Sequence, residues 1–412
     1  MIDRESKPPV PAALPENPYA KATGSASPEL EDLLRRRIEA GGPLDFADFM
    51  AAALYHPEAG YYARSTEQVG RGGDFFTSVS VGELFGGLLA RRFLGWWLAA
   101  GSPASWRIIE GGAHDGTLAH DVLTALHGLS PEAFHSLEYA IPEPLPRLRA
   151  AQQEKLAGFQ DRVRVLEDVG SLAGRPLPGL VFGNEVIDAL PCQVVERRNG
   201  GWCLCRVGHR PGQGFHWVVA EPPVDAGLVR ALARLDGDFP DGYRTEIRTQ
   251  EVLVGFLEPL LAALDSGLMI WVDYGFARPE YHHPARTEGT LRAYVRHRVA
   301  GDPLRHPGMA DLTAHVEFTG LAEAAGTLGA RPLAFRDQAA WLTGLARPWL
   351  LEMEGRPDPK AIRQFQTLTH PGQLGARFHV LELAWRDAAA PATPPSVQHR
   401  LALAEGCPLD AD

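Results

Sequence analysis

The sequence is poor in cysteine, with four in 412 residues. So few cysteines exclude a disulfide-stapled fold, and they suit a reducing compartment. Cys203 and Cys205 lie two residues apart on a predicted strand, but no second cysteine or histidine pair has the spacing of metal ligands. The sequence therefore predicts no metal site.

The sequence is also short of positive charge and of long apolar runs. Lys and Arg number 40 against 51 Asp and Glu, a net charge of −11, which argues against general nucleic-acid binding. No run approaches the ~18 apolar residues that a membrane span needs. Residues 1–23 have neither the apolar centre of a signal peptide nor the arginine-rich amphipathic pattern of a presequence. From these absences we expect a soluble, cytoplasmic protein with no membrane span.

The sequence does contain alternating apolar strands and amphipathic helices, which predict an α/β fold with a doubly wound parallel sheet. The expected order is a disordered segment (1–28), a helical N-terminal cover (29–100), a core (101–387) and a flexible tail (388–412). Two features interrupt the core. One is an antiparallel insertion at about 193–245, where Asn199-Gly200 is typical of a hairpin turn. The other is a long, irregular loop at about 278–310, which in an enzyme is often a lid or a substrate site.

One stretch, residues 106–123, combines a buried strand, a glycine turn and the start of a helix. Ile108-Ile109 ends at the acid Glu110, the turn runs from Gly112 to Gly116, and Thr117 can cap the following helix. This arrangement presents backbone N–H groups to a ligand at the carboxyl end of a strand. The ligand could be a dinucleotide or S-adenosylmethionine, and the turn could also be only structural.

The acids in this stretch favour a cationic ligand. The spacing of Gly112 and Gly116 does not fit the G-x-G-x-x-G pattern of dinucleotide sites. Asp115 would repel a pyrophosphate, whereas Glu110 suits the ammonium and sulfonium groups of S-adenosylmethionine.

Glu143 follows the next predicted strand, a little over thirty residues after Glu110. An acid there can hold two ribose hydroxyls, one with each carboxylate oxygen. Alone it could equally be a surface carboxylate.

Asn184, Glu185 and Asp188 follow another buried strand, so their side chains should emerge at the same edge of the sheet. Glu185 and Asp188 could orient an N–H-bearing acceptor and take up its proton. The alternative is that Asn184 or Asp188 only caps a helix.

Several blocks, in order over about residues 30–385, resemble the MidA family of S-adenosylmethionine-dependent methyltransferases, which includes the mitochondrial complex I assembly-factor methyltransferase. The matching blocks are Gly73-Asp74-Phe75-Phe76-Thr77-Ser78, Glu110-Gly111-Gly112 with Gly116-Thr117-Leu118, Glu143 with Pro146, Leu148, Arg149 and Gln152, Asn184-Glu185 with Asp188-Ala189-Leu190-Pro191, Asp273-Tyr274-Gly275, Gly289-Thr290-Leu291-Arg292-Ala293-Tyr294 with His297, Pro307-Gly308, Asp311 to Phe318, and Leu374-Gly375 with Phe378 to Leu381.

The resemblance implies a seven-stranded, doubly wound, class I (Rossmann-like) methyltransferase fold with S-adenosylmethionine as cofactor. Glu110, Gly112 and Gly116 would surround the methionine part of the cofactor, Glu143 its ribose, and Asp74 and Thr77 would close over it. Asn184, Glu185 and Asp188 would face the acceptor. Because the mitochondrial member methylates an arginine of a complex I subunit, the resemblance implies a protein arginine as acceptor. A homodimer is a further expectation.

The chain departs from the family in its glycine loop, where Ala113, His114 and Asp115 replace Pro, Gly and Arg. A side chain at position 114 must point away from the cofactor or fill part of its space. Val79-Ser80 also stands where the family has Pro-Glu, and Gly87 where a Glu is usual. These departures leave two alternatives to a methyltransferase: an assembly protein that binds the cofactor without turnover, and a nicotinamide-dependent oxidoreductase, which the glycine spacing disfavours.

Overall fold

The computed structural model describes residues 28–64, 77–295, 298–387 and 390–403. The expected disordered segment up to residue 27 and the candidate residues Asp74 and His297 lie outside these ranges. The helices are α1 (Pro28–Gly41), α2 (Phe46–Tyr55), α3 (Tyr61–Arg64), α4 (Ser78–Val81), α5 (Leu84–Ala99), α6 (Thr117–Leu129), α7 (Pro131–His135), α8 (Pro146–Lys155), α9 (Ala226–Leu232), α10 (Gln250–Ala262), α11 (Arg278–Tyr281), α12 (Phe318–Thr327), α13 (Gln338–Glu352), α14 (Pro359–Thr369) and α15 (Pro395–Arg400).

The strands fall into three sheets. They are β1 (Leu44–Asp45), β2 (Trp106–Gly111), β3 (Leu137–Pro142), β4 (Val163–Leu166), β5 (Leu177–Asn184), β6 (Gln193–Arg198), β7 (Gly201–Arg210), β8 (Gly214–Val219), β9 (Arg244–Ile247), β10 (Leu264–Phe276), β11 (Arg292–Val295), β12 (Arg298–Ala300), β13 (Asp311–Thr313), β14 (Val316–Glu317), β15 (Ala330–Asp337) and β16 (Phe378–Trp385).

The central sheet has the order β15-β16-β10-β5-β2-β3-β4, with the short β14 added beside β10. The pairs β2–β3, β2–β5, β3–β4 and β5–β10 are parallel, while β16 runs antiparallel to both β10 and β15. All six residues of β2 are buried because helices cover both faces of the sheet. Helices α5, α6 and α13 pack on one face, and α10 and α12 on the other. The predicted seven-stranded, doubly wound α/β fold is confirmed.

The antiparallel insertion forms a second sheet in the order β1-β7-β6-β9, with β8 on β7. Asn199 and Gly200 connect β6 to β7 with φ angles of 50° and 76°. Two consecutive positive φ angles are what a type I′ hairpin turn requires, and they explain why Asn-Gly occurs there.

The structure differs from the expected organisation in the segment 278–310 and in the tail. The expected long loop contains α11 and the strands β11 and β12, and β11 pairs with both β12 and β13 in a small antiparallel sheet. The expected flexible tail contains α15, whose Val397 is buried against the second face of the central sheet. Elements of three to six residues are too short to show a clear periodicity, which is why the sequence pattern did not reveal them.

The helical cover packs on two different parts of the molecule. Residues of α1 and α2, such as Leu34 and Phe49, share one apolar cluster with the second and third sheets. Helix α5 instead packs on the central sheet. In the described ranges of the chain, no helix has the length and apolar character needed to cross a membrane.

Candidate functional site

A cavity of about 400 Å³ lies at the carboxyl ends of β2, β3 and β5. Seven of the candidate residues line it: Thr77, Glu110, Gly112, Glu143, Asn184, Glu185 and Asp188. Gly116 is not part of the lining, and Asp74 lies outside the described residues. The structure therefore brings together side chains that follow three different strands, as expected for the carboxyl edge of a parallel sheet.

The glycine turn after β2 has a backbone that demands glycine at Gly112. Its φ is +68°, and a Cβ there would lie 2.6 Å from Cγ2 of Val186, whose loop follows β5. Gly116 has φ +83° and directly precedes α6, where a Cβ would lie 3.4 Å from Leu156. Gly112 thus shapes the cavity wall, while Gly116 shapes the start of the helix.

Asp115, one of the unusual residues of this turn, serves the helix start. Its two carboxylate oxygens accept hydrogen bonds from the backbone N–H of Thr117 at 3.0 Å and from its hydroxyl at 2.9 Å. Lys155 forms an ion pair with it at 3.0 Å. Burial opposes ionisation, but the hydrogen bonds from His114, Thr117 and Lys155 outweigh burial and hold the pKa of Asp115 well below its usual value. Asp115 is therefore an ionised, fully engaged carboxylate.

His114 takes the position of a family glycine in a conformation that glycine favours, with φ +46°. Its carbonyl accepts a hydrogen bond from Nε2 of Gln152 at 2.8 Å, which fixes the backbone. The residue lines the cavity. Its ring Nδ1 lies 3.9 Å from Oδ1 of Asp115.

Glu110 is a buried acid at the floor of the cavity, only 2% exposed. Its Oε2 accepts a hydrogen bond of 2.6 Å from the Tyr139 hydroxyl. Burial raises the pKa of Glu110 to about 8, although the Tyr139 hydrogen bond works in the other direction. A cation beside this carboxyl would favour its ionised form.

Glu143 presents both carboxylate oxygens at the end of β3. Oε1 accepts from the N–H of Leu145 at 2.9 Å, and Oε2 accepts from Gln152 at 3.4 Å. Burial raises the pKa of Glu143. Because each carboxylate oxygen can accept a second hydrogen bond, Glu143 can still receive a pair of hydroxyl groups.

Asn184 ends β5, and Glu185 and Asp188 lie on the tight loop that follows it. Glu185 has φ +55°, an uncommon conformation for a residue with a Cβ and a frequent one at functional sites. Asp273 holds this loop, because its Oδ2 accepts hydrogen bonds from the backbone N–H groups of Val186, Ile187 and Asp188 at 3.2, 2.9 and 3.2 Å.

The pKa values of both acids on this loop are raised. Burial, together with the nearby charges of Asp188 and Asp273, raises the pKa of Glu185 well above its usual value. Burial also raises the pKa of Asp188 to about 6, against the opposing charge of Arg248. Asn184 donates to Glu185 at 2.9 Å, and its Oδ1 is buried with no hydrogen-bond partner among the described residues. That unpaired oxygen is available to a donor on a ligand.

Sequence reasoning missed Arg248, which fixes this loop from outside the cavity. Its guanidinium donates to the carbonyls of Asp188 at 2.6 Å, Leu190 at 2.9 Å, Ala314 at 3.0 Å and His315 at 2.9 Å. No sequence signal distinguishes it from other arginines.

Sequence reasoning also missed three residues of the cavity lining, Tyr55, Tyr62 and Asp311. Tyr62 follows Gly60-Tyr61 in an aromatic run, and Asp311 lies in a matching family block, but neither signal assigns a role. The three residues come from α2, α3 and β13, and only the packing of these elements places them at the same cavity.

His315 and His282 do not line the cavity. His315 stacks on Tyr274 with a centroid distance of 6.1 Å, and burial lowers its pKa to about 4. His282 is buried, and its Nδ1 is hydrogen-bonded to the Thr245 hydroxyl at 3.0 Å. Within the described residues, no three His, Cys, Asp or Glu side chains are grouped as metal ligands would be.

The cavity as a whole suits a positively charged ligand. Six carboxyl groups line it, from Glu110, Asp115, Glu143, Glu185, Asp188 and Asp311, and the described lining contains no Lys or Arg. S-adenosylmethionine fits this set of carboxyl groups, because carboxylates can bind its ammonium and sulfonium groups and Glu143 can bind its ribose. The unpaired oxygen of Asn184 is a further hydrogen-bond acceptor at the same cavity.

Comparisons with known proteins agree with this chemistry. The model of a family of S-adenosyl-L-methionine-dependent methyltransferases matches residues 88–336. The chain is 30% identical over 408 residues to the mitochondrial protein arginine methyltransferase NDUFAF7 homolog of Drosophila melanogaster, covering 89% of this chain and 88% of that protein. It is 28% identical over 395 residues to the mitochondrial protein arginine methyltransferase NDUFAF7 of Danio rerio, covering 89% and 90%. A crystal structure from Burkholderia thailandensis with bound S-adenosyl-homocysteine superposes with a TM-score of 0.77 at 33% identity, covering 91% of this chain and 95% of that chain.

The comparisons correct the expected cytoplasmic localisation, which is wrong, because the curated relatives are mitochondrial proteins. A low cysteine content indicates a reducing environment and does not identify the compartment that provides it.

Proposed function

The chain belongs to the family of S-adenosyl-L-methionine-dependent methyltransferases, and we propose that it methylates a guanidinium nitrogen of arginine in a protein. The observation that carries the choice of acceptor is the composition of the cavity. Its described lining has six carboxyl groups and no Lys or Arg side chain. Arginine remains charged at any physiological pH and binds carboxylates bidentately, so it is the protein side chain that such a wall suits best.

The cofactor would lie between the glycine turn and the end of β3. Glu110 would hold its ammonium, and the backbone at Gly112 would leave room for its methionine part. Glu143 would accept hydrogen bonds from the two ribose hydroxyls. Gly116 would support this site indirectly by fixing the start of α6, and Thr77 would cover it, because it lines the cavity at the cap of α4.

The acceptor would lie against the loop after β5. Glu185 and Asp188 would each accept N–H hydrogen bonds from the guanidinium, and the unpaired Oδ1 of Asn184 would accept another. Asp273 and Arg248 would act through the backbone, because they hold the loop in the conformation that aims these groups.

S-adenosylmethionine, when bound, supplies an electrophilic methyl group and leaves as S-adenosylhomocysteine. The chain's own residues would align the acceptor nitrogen and remove its proton. Asp188 is the group we propose for the proton, because its pKa of about 6 leaves the carboxylate ionised at neutral pH yet basic enough to accept a proton. Glu185, whose pKa burial raises well above its usual value, would serve mainly to orient the guanidinium.

The proposal is tested by the chemical identity of the methylated product. The enzyme is incubated with radiolabelled S-adenosylmethionine and a pool of unmodified proteins, which are then hydrolysed to amino acids. We expect the label in methylated arginine. Asp188→Asn should lower the rate of label transfer by about 10²- to 10⁴-fold, the usual effect of removing a general base. Its affinity for S-adenosylhomocysteine, measured by calorimetry, should change little.

Asp225→Asn is the matched control, because Asp225 caps α9 in the insertion and asparagine caps a helix as well as aspartate does. This variant should retain wild-type activity. Label in lysine, histidine or a carboxyl ester would reject arginine as the acceptor. Binding of the cofactor without any transfer would favour the assembly-protein alternative instead. The expected homodimer stays a prediction, which sedimentation of the purified protein checks.

A further inference from the structure

Three side chains from outside the central sheet form one wall of the cavity. Tyr55 ends α2, Tyr62 lies in α3, and Asp311 begins β13. The proposed chemistry gives none of them a role so far. The N-terminal helices and the small sheet meet at this wall through a shared apolar cluster.

Hydrogen bonds tie this wall together and attach it to the acceptor loop. The Tyr62 hydroxyl donates to Oδ1 of Asp311 at 3.0 Å, and the Tyr55 hydroxyl donates to the carbonyl of Ala189 at 2.9 Å. Ala189 directly follows Asp188. The backbone N–H of Ala314, on the segment after β13, donates to the Asp188 carbonyl at 3.0 Å. The wall therefore has a fixed position relative to the proposed base.

The two tyrosine rings lie side by side, with centroids 5.5 Å apart and planes inclined by 32°. Both rings are half-buried and line the cavity. Burial, reinforced by the charge of Asp311, raises the pKa of both hydroxyls, so both tyrosines stay neutral. A ligand at this wall can therefore contact the π face of a neutral aromatic ring and donate hydrogen bonds to the carboxylate oxygens beside it.

A guanidinium and an ammonium differ in how they use such a wall. The guanidinium is planar, is weakly hydrated on its faces and can stack on aromatic rings while its edge N–H groups reach carboxylates. The ammonium of lysine is compact and strongly hydrated and gains less from a ring face. A wall that combines tyrosine rings with Asp311 therefore discriminates by shape as well as by charge.

We propose that Tyr55, Tyr62 and Asp311 form an acceptor clamp that selects the planar guanidinium over the ammonium of lysine. The inference rests on the proposed function, since it names further residues by which the same cavity recognises its acceptor. The ring of Tyr62 stacks on the guanidinium, and the carboxylate of Asp311 accepts hydrogen bonds from its N–H groups. Tyr55 fixes the wall to the loop that carries Asp188.

The clamp is tested by the binding of two small cations, ethylguanidinium and ethylammonium, to the full-length protein loaded with S-adenosylhomocysteine. Titrations followed by ligand-observed NMR give both affinities. The wild type should prefer ethylguanidinium by about tenfold or more. Tyr62→Leu and Asp311→Asn should each abolish most of that preference. Tyr62→Phe keeps the ring and loses the hydroxyl, so it should retain most of it.

Tyr243→Phe is the control for removing a buried tyrosine hydroxyl, because Tyr243 packs against Trp202 and Phe239 in the insertion and does not line the cavity. Affinity for S-adenosylhomocysteine verifies that each variant is folded. Equal binding of the two cations by the wild type, or an unchanged preference in Tyr62→Leu and Asp311→Asn, would overturn the clamp. So would equal losses in Tyr62→Phe and Tyr62→Leu, which would indicate a purely structural hydrogen bond.

The product analysis tests the proposed function and the cation titrations test the clamp, so either proposal can be rejected without the other. Absence of methylated arginine in the wild type rejects the proposed function, whatever the cation preference. Methylated arginine formed by a wild type that does not distinguish the two cations rejects the clamp and leaves the proposed function standing. A variant that loses affinity for S-adenosylhomocysteine while keeping its cation preference would assign the wall to the cofactor and also reject the clamp.

Discussion

Glu110 is a residue whose burial makes the ligand-free protein sensitive to pH. Its pKa of about 8 in the folded protein lies above the value of about 4.3 expected in an unfolded chain. A carboxyl with a raised folded-state pKa stabilises the fold fully below pH 4.3, and this contribution is lost as the pH rises towards 8. We therefore expect the melting temperature of the ligand-free protein to fall between pH 5 and 8, and to fall less in Glu110→Gln.

The exposed acid Glu132 of α7 provides the matched control, since Glu132→Gln removes a carboxyl without a buried environment. Its melting temperature should follow the wild type at every pH. Parallel curves for wild type and Glu110→Gln would contradict the assignment of the titration to Glu110. Saturation with S-adenosylmethionine should flatten the wild-type curve, because a cation beside Glu110 favours its ionised form.

At the residue scale, the sequence predicted the acids at the ends of strands but not the residues from other elements that line the same cavity. Glu110, Glu143 and Asp188 each follow an apolar run, and the rule that parallel strands share a carboxyl edge places them together. Tyr62 and Asp311 are separated by 249 residues along the chain. Their contact depends on how the N-terminal helices pack on the third sheet, which no local pattern specifies.

At the scale of elements, the turn between β2 and α6 keeps its shape despite its unusual sequence. Asp115 directly precedes the N-cap Gly116, accepts two hydrogen bonds from Thr117 and pairs with Lys155, so it stabilises the start of the helix. We expect Asp115→Ala to lower the free energy of unfolding by about 1–2 kcal/mol, as the loss of a helix cap does. Because the same turn forms a cavity wall, affinity for S-adenosylhomocysteine, measured by calorimetry, should also fall.

Asp337→Ala separates the two effects of that substitution. Asp337 caps α13 by accepting from the N–H of Ala340 at 2.7 Å, and it does not line the cavity. This variant should lose similar stability in denaturant unfolding and keep its cofactor affinity. If both variants bound S-adenosylhomocysteine as the wild type does, the turn would not shape the cofactor site.

The elements that the sequence predicted correctly are those with long or strongly patterned runs. The Ile108-Ile109 run of β2 and the Asn199-Gly200 turn are examples. The strands β11 and β12 have four and three residues, and their stability comes from pairing with partners rather than from their own composition. Short elements of this kind are determined by tertiary contacts, so the periodicity of the sequence does not predict them.

At the scale of the whole molecule, the site depends on the joint packing of three separate segments. One apolar cluster contains Leu34 of α1, Val207 of the second sheet and Leu312 of the third. The cavity lies where this cluster meets the central sheet. Elements of the cluster form one wall of the cavity, and the ends of the central strands form the other. The order of strands in the central sheet, with β16 inserted antiparallel between β10 and β15, is likewise a property of the assembled fold.

The net charge of −11 affects how a cationic acceptor reaches this cavity. An acidic protein with an acidic cleft attracts cations over distances of about the Debye length, which falls from roughly 10 Å at 0.1 M salt to 3 Å at 1 M. For a basic protein acceptor, kcat/KM should therefore decrease by about tenfold between 50 and 500 mM NaCl. The measurement is initial-rate label transfer at saturating S-adenosylmethionine. S-adenosylhomocysteine has no net charge, so its affinity over the same salt range should stay nearly constant and controls for effects on folding. A rate that is independent of salt, or rises with it, would show that the acceptor is not drawn in by its positive charge.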